Sequence, residues 1–104
     1  MLSRHVTKII QNLEKKKFRD KYNLFKIEGE KLVRELLSSR LKIHTIIAYP
    51  GWIELNKGLL SGQNVMEADE REMHSISNFQ SLPDVIALAE IPEHSYDETL
   101  VRNT

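Results

Sequence analysis

A cluster of basic side chains near the N-terminus is the strongest chemical signal in the sequence. Five cations lie within seven residues, namely Lys15, Lys16, Lys17, Arg19 and Lys21. Closely spaced cations neutralise successive phosphates of a polyanion and release its condensed counterions. Phe18 and Tyr22 alternate with these cations, and aromatic rings beside a basic groove stack on unpaired bases. The residue types indicate a nucleic-acid-binding surface, and the alternative is a solvated basic helix end with Phe18 in the core.

Groups that activate one another for catalysis are not evident in the sequence. The four histidines are scattered, and no two have the spacing of metal ligands on one helix. There is no cysteine, and the four glycines form neither a dinucleotide fingerprint nor a phosphate-binding loop. We therefore expect no catalytic residue, metal or cofactor in this chain, and no enzymatic activity from it alone.

The charge of the chain is neutral in total but unevenly distributed. Residues 1–42 contain 12 of the 15 lysines and arginines and only 5 of the 15 acidic residues, so this part carries +7 and the rest −7. A length of 104 residues fits one domain. No apolar run has the length of a signal peptide or a membrane span, so we expect a cytoplasmic protein without membrane contact.

The spacing of apolar residues near the N-terminus predicts a first helix. Its buried face is expected to comprise Val6, Ile9, Ile10 and Leu13. The helix is predicted to end in lysines 15–17, because cations are favoured at the negative end of the helix dipole. Residues 18–23 are interpreted as a polar connector, and residues 24–28 as a short strand.

The rest of the chain continues the alternation of helices and strands. A second helix is predicted to begin at Glu30, with a buried face of Leu32, Val33, Leu36 and Leu37. Asp69 and Glu72 have the spacing of a helix capping box. Residues 85–89 form an apolar run, which is typical of a strand covered on both faces. The predicted order, α-β-α-β-α-β-α-β, indicates an α/β domain with helices on both faces of a sheet.

Several ordered segments resemble the N-terminal substrate-binding domain of SpoU-type (SPOUT-class) RNA ribose 2'-O-methyltransferases. A basic K-x-R element lies at 17–19, an F-x-x-E-G element at 25–29, and a hydrophobic helix ending in an E-x-L-like pattern at 32–36. The similarity continues through 43–47, 72–77 and 85–89, and it covers roughly residues 3–91. One departure is that the usual P-Q-G-V loop is replaced by Pro83-Asp84-Val85. An aspartate repels phosphate, so we do not expect this loop to contact RNA.

The resemblance implies a three-layer α/β/α sandwich with a mostly parallel or mixed sheet, similar to kink-turn-binding ribosomal proteins. Residues 1–92 would bind and position ribosomal or transfer RNA, and residues 93–104 would begin a linker. The linker would lead to a separate C-terminal domain that uses S-adenosylmethionine to methylate a ribose 2'-hydroxyl. Such an enzyme would form a homodimer through that catalytic domain. The alternative function is a protein-interaction or dimerisation module without RNA affinity.

The resemblance and the charge pattern together assign two groups of residues. The predicted RNA-binding residues are Lys15, Lys16, Lys17, Arg19, Lys21 and Lys31. The predicted structural junction between strand and helix consists of Phe25, Glu28 and Gly29. We favour a structural role for Glu28, as an acceptor for backbone amides at the start of the second helix, because a carboxylate facing phosphates is electrostatically unfavourable.

Overall fold

The computed structural model describes residues 2–92 of the chain. The predicted linker at 93–104 lies outside the described residues. The helices are α1 (Arg4–Asn12), α2 (Lys16–Tyr22), α3 (Glu30–Leu37), α4 (Pro50–Leu55) and α5 (Glu70–Ile76). The strands are β1 (Leu24–Glu28), β2 (Ile43–Ala48), β3 (Val65–Glu67) and β4 (Val85–Glu90). The predicted alternation is confirmed, with one additional helix, α2.

The apolar strand β4 lies inside a four-stranded sheet with the order β1-β4-β2-β3. Its side chains point alternately into two cores. Val85 and Ala87 pack in the core that α3 and α4 cover, whereas Ile86 and Leu88 pack in the core that α1 and α5 cover. Burial on both faces explains why this strand is apolar throughout. The two cores confirm the predicted three-layer arrangement.

Of the two sheet types expected, the mixed sheet is the one that forms. β4 pairs antiparallel with both β1 and β2, whereas β2 and β3 pair in parallel. The loop after α5 returns the chain to the end of the sheet where β2 finishes, and there the amide of Tyr49 donates to the carbonyl of Asp84 at 3.2 Å. Since β4 starts where β2 ends, the two strands run in opposite directions.

The prediction of a polar connector at 18–23 is wrong. Residues Lys16–Tyr22 form α2, and α1 ends at Asn12, so the three lysines begin a second helix rather than end the first. Phe18 and Tyr22 lie one turn apart with their rings stacked at a centroid distance of 6.3 Å. Asn23 ends the helix in the left-handed conformation (φ 58°), which asparagine tolerates better than most residues.

Helix α3 differs from its prediction at one position. Val33 and Leu36 are buried as expected, and Leu37 is partly buried, but the side chain of Leu32 is 52% exposed. Val33 and Leu36 lie three residues apart and point at the sheet, whereas Leu32 lies about 100° around the helix from Val33. The apolar face of α3 is therefore narrower than its composition suggests.

The predicted capping box at the start of α5 is confirmed. The amide of Glu72 donates to the Asp69 carboxylate at 2.8 Å, and the amide of Asp69 donates to Glu72 Oε1 at 2.9 Å. The other oxygen of Glu72 accepts from the amide of Leu2 at 3.0 Å, and the Gln11 side chain donates to the carbonyl of Ser75 at 2.8 Å. These two bonds hold α1 alongside α5.

Candidate nucleic-acid interface

Helix α2 presents two lysines on one exposed face. Lys17 and Lys21 lie four residues apart, so their side chains project from the same side of the helix. The ammonium of Lys17 lies 5.2 Å from the ring centroid of Phe18, and that of Lys21 lies 5.5 Å from the ring centroid of Tyr22. These distances allow cation–π attraction. The two aromatic rings thus help to hold both cations in position at the surface.

The remaining predicted cations have different surroundings. The ammonium of Lys16 forms an ion pair with Asp20 at 2.8 Å, and both side chains are largely exposed. Exposed pairs of this kind contribute only about 0–1 kcal/mol, so Asp20 weakens but does not block binding of another anion. Lys15 is exposed at the N-cap position of α2, and Lys31 is exposed in the first turn of α3. Lys31 therefore belongs to a different element from the other five.

Arg19 has a structural role that the sequence did not predict. Its Nη1 donates to the carbonyls of Leu13 and Glu14, at 2.9 Å each. These carbonyls follow the end of α1, where backbone acceptors lack helical partners. Within residues 2–92, no hydrogen bond is formed by the other two guanidinium nitrogens of Arg19. The side chain therefore joins α1 to α2 and still has donors for a further anion.

Replacing Arg19 by alanine is expected to lower the free energy of unfolding by about 1–2 kcal/mol, because two carbonyls lose a charged donor. Urea denaturation followed by circular dichroism measures this change. The matched control is Lys17→Ala on the exposed face of the same helix, which should alter stability by less than about 0.5 kcal/mol. Equal stabilities of the two variants would contradict the structural role of Arg19.

A cleft of about 350 Å³ lies beside Arg19 at the outer side of β1. It brings together the end of α1, helix α2, strand β1 and the loop after α5. The residues that line it are Leu13, Glu14, Arg19, Phe25, Lys26 and Asn78. Phe25 also packs against the core on the α3 and α4 side of the sheet. The cleft thus joins the predicted basic element to the first residue of the F-x-x-E-G element.

Glu28 is buried and binds a loop that is distant in sequence. Its Oε1 accepts from the hydroxyl of Ser77 at 2.6 Å, and its Oε2 accepts from the amide of Asn78 at 2.9 Å. Lys26, on the same face of β1, lies 3.3 Å from Glu28 Oε2 and donates to the carbonyl of Ile76 at 2.6 Å. The prediction that Glu28 accepts from backbone amides at the start of the helix from Glu30, which is α3, is wrong. Its hydrogen-bond partners, Ser77 and Asn78, lie after α5 instead.

Gly29 turns the chain from β1 into α3. Its backbone has φ 103° and ψ 148°, a conformation that side-chain-bearing residues rarely adopt. The amide of Gly29 donates to the carbonyl of Val85 at 2.9 Å, and its carbonyl accepts from the amide of Val33 at 3.0 Å. The glycine of the F-x-x-E-G element therefore meets a backbone requirement at the predicted junction.

The end of the sheet near Tyr49 is acidic. A cleft of about 680 Å³ there is lined by Tyr49, Glu70, His74, Gln80 and Leu82. Burial raises the pKa of the Tyr49 hydroxyl above its ordinary value, and the nearby carboxylates of Glu70, Asp84 and Asp69 raise it further. These charges repel phosphate, which agrees with leaving the Pro83-Asp84-Val85 loop out of the RNA-binding set.

The described residues were also compared with the requirements of a metal site and of a membrane-spanning helix. In the part of the chain from residue 2 to residue 92, no group of three or more histidine or acidic side chains is placed to hold a metal ion. None of the helices in that same part has the length and apolarity required to cross a bilayer.

Solved structures of RNA methyltransferases contain a part with the same fold as this chain. An AdoMet-bound rRNA methyltransferase from Sinorhizobium meliloti is 28% identical, with a TM-score of 0.72 over 88% of this chain and 35% of that one. The SpoU methyltransferase AviRb from Streptomyces viridochromogenes, in complex with AdoMet, has a TM-score of 0.76 over 93% of this chain and 38% of that one. Its identity of 12% shows the fold alone. The chain spans about a third of the length of these structures.

Comparison with family models defines the family. The model of the MRM3-like substrate binding domain matches residues 5–87. The chain therefore belongs to the MRM3-like substrate-binding domain family, and the resemblance to the substrate-binding domain of SpoU-type RNA methyltransferases is confirmed. A search of curated protein sequences found no significant match.

Proposed function

We propose that this domain binds substrate RNA through α2 and positions it for ribose 2'-O-methylation by a separate catalytic domain. The observation that carries the proposal is the pair formed by Lys17 and Lys21, which share one exposed face of the helix. Residues 15–21 contain five cations and one carboxylate, a net charge of +4 over two helical turns. A polyanion is the partner that such a surface attracts most strongly.

The six predicted cations take different parts in this proposal. Lys17 and Lys21 are the main phosphate contacts, and Arg19 contributes the donors that do not bind α1. Lys16 exchanges Asp20 for a phosphate, and Lys15 and Lys31 are peripheral contacts. Ribosomal or transfer RNA is the proposed substrate, in keeping with the rRNA methyltransferase that has the same fold.

The chemistry of methyl transfer is assigned to the remainder of a longer enzyme. Residues 1–92 form the RNA-binding domain in this proposal, and residues 93–104 begin the linker to the catalytic domain. S-adenosylmethionine would supply the methyl group there, as the AdoMet-bound structures of similar proteins suggest. The four glycines of this chain are too dispersed to form a cofactor loop, so no residue of this domain is assigned to the cofactor. Homodimerisation is likewise proposed to occur through the catalytic domain.

The test is a salt titration of RNA binding by the Lys17→Ala/Lys21→Ala variant. Each lost phosphate contact on a single strand should reduce the slope of log K against log salt by about 0.7. The double variant should lose about 1.4 units of slope and, at 0.1 M salt, on the order of 25-fold in affinity. Fluorescence anisotropy of a labelled RNA measures both quantities.

The matched control removes two lysines elsewhere, in the variant Lys42→Ala/Lys57→Ala. Both positions are exposed, and the change in net charge is the same as in the test variant. The control should retain the affinity and the slope of the parent chain to within about threefold and about 0.3 units, because only long-range attraction is reduced. Equal losses in the two double variants would overturn the assignment of α2 as the RNA-binding element.

A second candidate function is a protein-interaction module, which exposed leucines on the other side of the sheet favour. Leu32 on α3 is 52% exposed and Leu55 at the end of α4 is 86% exposed. An apolar interface depends weakly on salt, whereas RNA binding falls steeply as salt increases. The same titration therefore separates the two functions.

A further inference from the structure

Phe79 is a large aromatic residue that the fold leaves in water. Its side chain is 51% exposed in the loop between α5 and β4. The preceding residue, Asn78, lines the cleft whose other wall contains Arg19 of α2. An exposed aromatic ring therefore lies one residue away from the cleft that borders the most basic helix of the described chain.

The backbone that carries Phe79 is held in place by buried groups. The amide of Phe79 donates to the Ser77 hydroxyl at 3.0 Å, and that hydroxyl donates to Glu28 at 2.6 Å. The amide of Asn78 donates to the other oxygen of Glu28 at 2.9 Å. Glu28 is anchored in turn by Lys26, and the two side chains are only 6% and 7% exposed. Three consecutive loop residues are thus bonded, directly or through one hydroxyl, to one buried carboxylate.

We propose that Phe79 is a stacking platform for an unpaired base of the bound RNA, and that Glu28 is the residue that positions it. This inference rests on the proposed RNA-binding function and adds a substrate class, single-stranded or looped RNA. A stacking ring works best when it is exposed and already ordered, because ordering a side chain on binding reduces affinity. Phe79 is exposed and the hydrogen bond from its amide to Ser77 holds its backbone in place, while the +4 charge of residues 15–21 attracts the phosphates that accompany the base.

The occupant is assigned as a nucleobase rather than an apolar protein surface because of the cleft that Asn78 lines, where Arg19 can hold the phosphate beside the base. Gln80, on the other side of Phe79, lines the acidic cleft with Glu70, so the phosphates are assigned to the Arg19 side of the loop. Arg19 is the residue of α2 that lines this cleft, and its guanidinium keeps two nitrogens that form no hydrogen bond within residues 2–92. Glu14 also lines the cleft and reduces its positive charge, and Lys26 in the lining is paired with Glu28, so Arg19 is the cation available to a phosphate there. An aromatic ring next to clustered cations is the usual composition of a surface that binds single strands.

The experiment compares Phe79→Ala, Phe79→Trp and the parent 104-residue chain on three RNA probes. The probes are a mixed-sequence single strand, a blunt duplex of the same length, and an abasic strand that keeps the phosphates but lacks the bases. For the intact single strand, Phe79→Ala should lose on the order of tenfold in affinity, and Phe79→Trp should retain it. For the duplex and the abasic strand, the two variants should match the parent.

The matched control is Leu55→Ala, an exposed apolar residue at the end of α4 on the opposite side of the sheet. It should leave the affinity for each probe unchanged. If Phe79→Ala binds the intact strand as tightly as the parent, or weakens binding to the abasic strand equally, the stacking proposal is overturned while RNA binding itself stands. If the parent chain binds none of the probes, the proposed function fails first, so the two failures are distinguishable.

The positioning role of Glu28 has a separate readout in the fluorescence of the Phe79→Trp variant. The introduced indole is exposed, whereas Trp52 is buried in the other core and its emission can be subtracted by measuring the parent chain. Adding Glu28→Gln should lower the anisotropy of the introduced indole and abolish its quenching by the single strand. Retention of both the anisotropy and the quenching, in a variant that remains folded by circular dichroism, would overturn this role.

Discussion

Replacement of Glu28 by alanine is expected to lower the free energy of unfolding by about 3–5 kcal/mol, the usual loss when one partner of a buried ion pair is removed. The ammonium of Lys26 would remain buried without its counter-charge. The hydroxyl of Ser77 and the amide of Asn78 would also lose their acceptor. Urea unfolding of the 104-residue chain, followed by far-UV circular dichroism, measures the change in stability.

Two controls distinguish the loss of stability caused by an unpaired buried charge from any loss caused by removing a glutamate in general. Glu35→Ala removes an exposed carboxylate of α3 and should change stability by less than about 0.5 kcal/mol. Lys26→Met/Glu28→Gln removes both charges and keeps one of the two oxygen acceptors for the loop, so it should be less destabilised than Glu28→Ala. A double variant that is less stable than Glu28→Ala would contradict the explanation by an uncompensated lysine.

Replacement of Gly29 by alanine is expected to destabilise the domain by about 1–3 kcal/mol, because the backbone conformation of Gly29 is strained for any residue with a Cβ atom. An added Cβ would meet no atom within 4 Å, so the loss would come from backbone conformation and not from a clash. The thermal midpoint and the urea midpoint of the variant both report this loss.

Gly51 provides the matched control for Gly29. It lies in α4, does not have a positive φ, and an added Cβ would likewise meet no atom within 4 Å. Gly51→Ala should therefore be neutral or stabilise the domain by up to about 1 kcal/mol, because alanine favours the helix. If both variants lost the same stability, the positive φ of Gly29 would not be the cause.

The layers of the fold could be predicted from sequence because their signals are local. The apolar run at 85–89 identified the strand that is covered on both faces, and Asp69 with Glu72 identified the start of α5. The direction of β4 could not be predicted, because it depends on where a polar loop returns the chain to the sheet. The resemblance to a known family allowed a mixed sheet but did not specify its pairings.

Helix α2 was missed although its sequence contains usable signals. Phe18 and Tyr22, like Lys16 and Asp20, have the four-residue spacing of neighbours on a helix, and Asn23 is a common helix terminator. Seven residues are few for a periodicity argument, and the lysines were interpreted as the end of the preceding helix. Charge density alone therefore identified the basic segment of the sequence but not its secondary structure.

The contacts of Glu28 and Arg19 lay beyond sequence reasoning for different reasons. Glu28 binds Ser77, which is 49 residues away, so the contact exists only after the sheet and α5 have assembled. Arg19 binds carbonyls five and six residues before it, but only because the chain turns between α1 and α2. The residue type alone does not distinguish the structural role of Arg19 from phosphate binding, or the loop contacts of Glu28 from helix capping.

The opposite charges of α2 and of the surroundings of Tyr49 have a consequence for the proposed binding of RNA. The 104 residues carry no net charge, so a distant polyanion exerts little net pull on this domain taken by itself. The separated charges nevertheless give the molecule an electric dipole, and the field of the polyanion exerts a torque on that dipole. The domain should therefore rotate into its docking orientation during approach, within roughly the 10 Å screening length at 0.1 M salt.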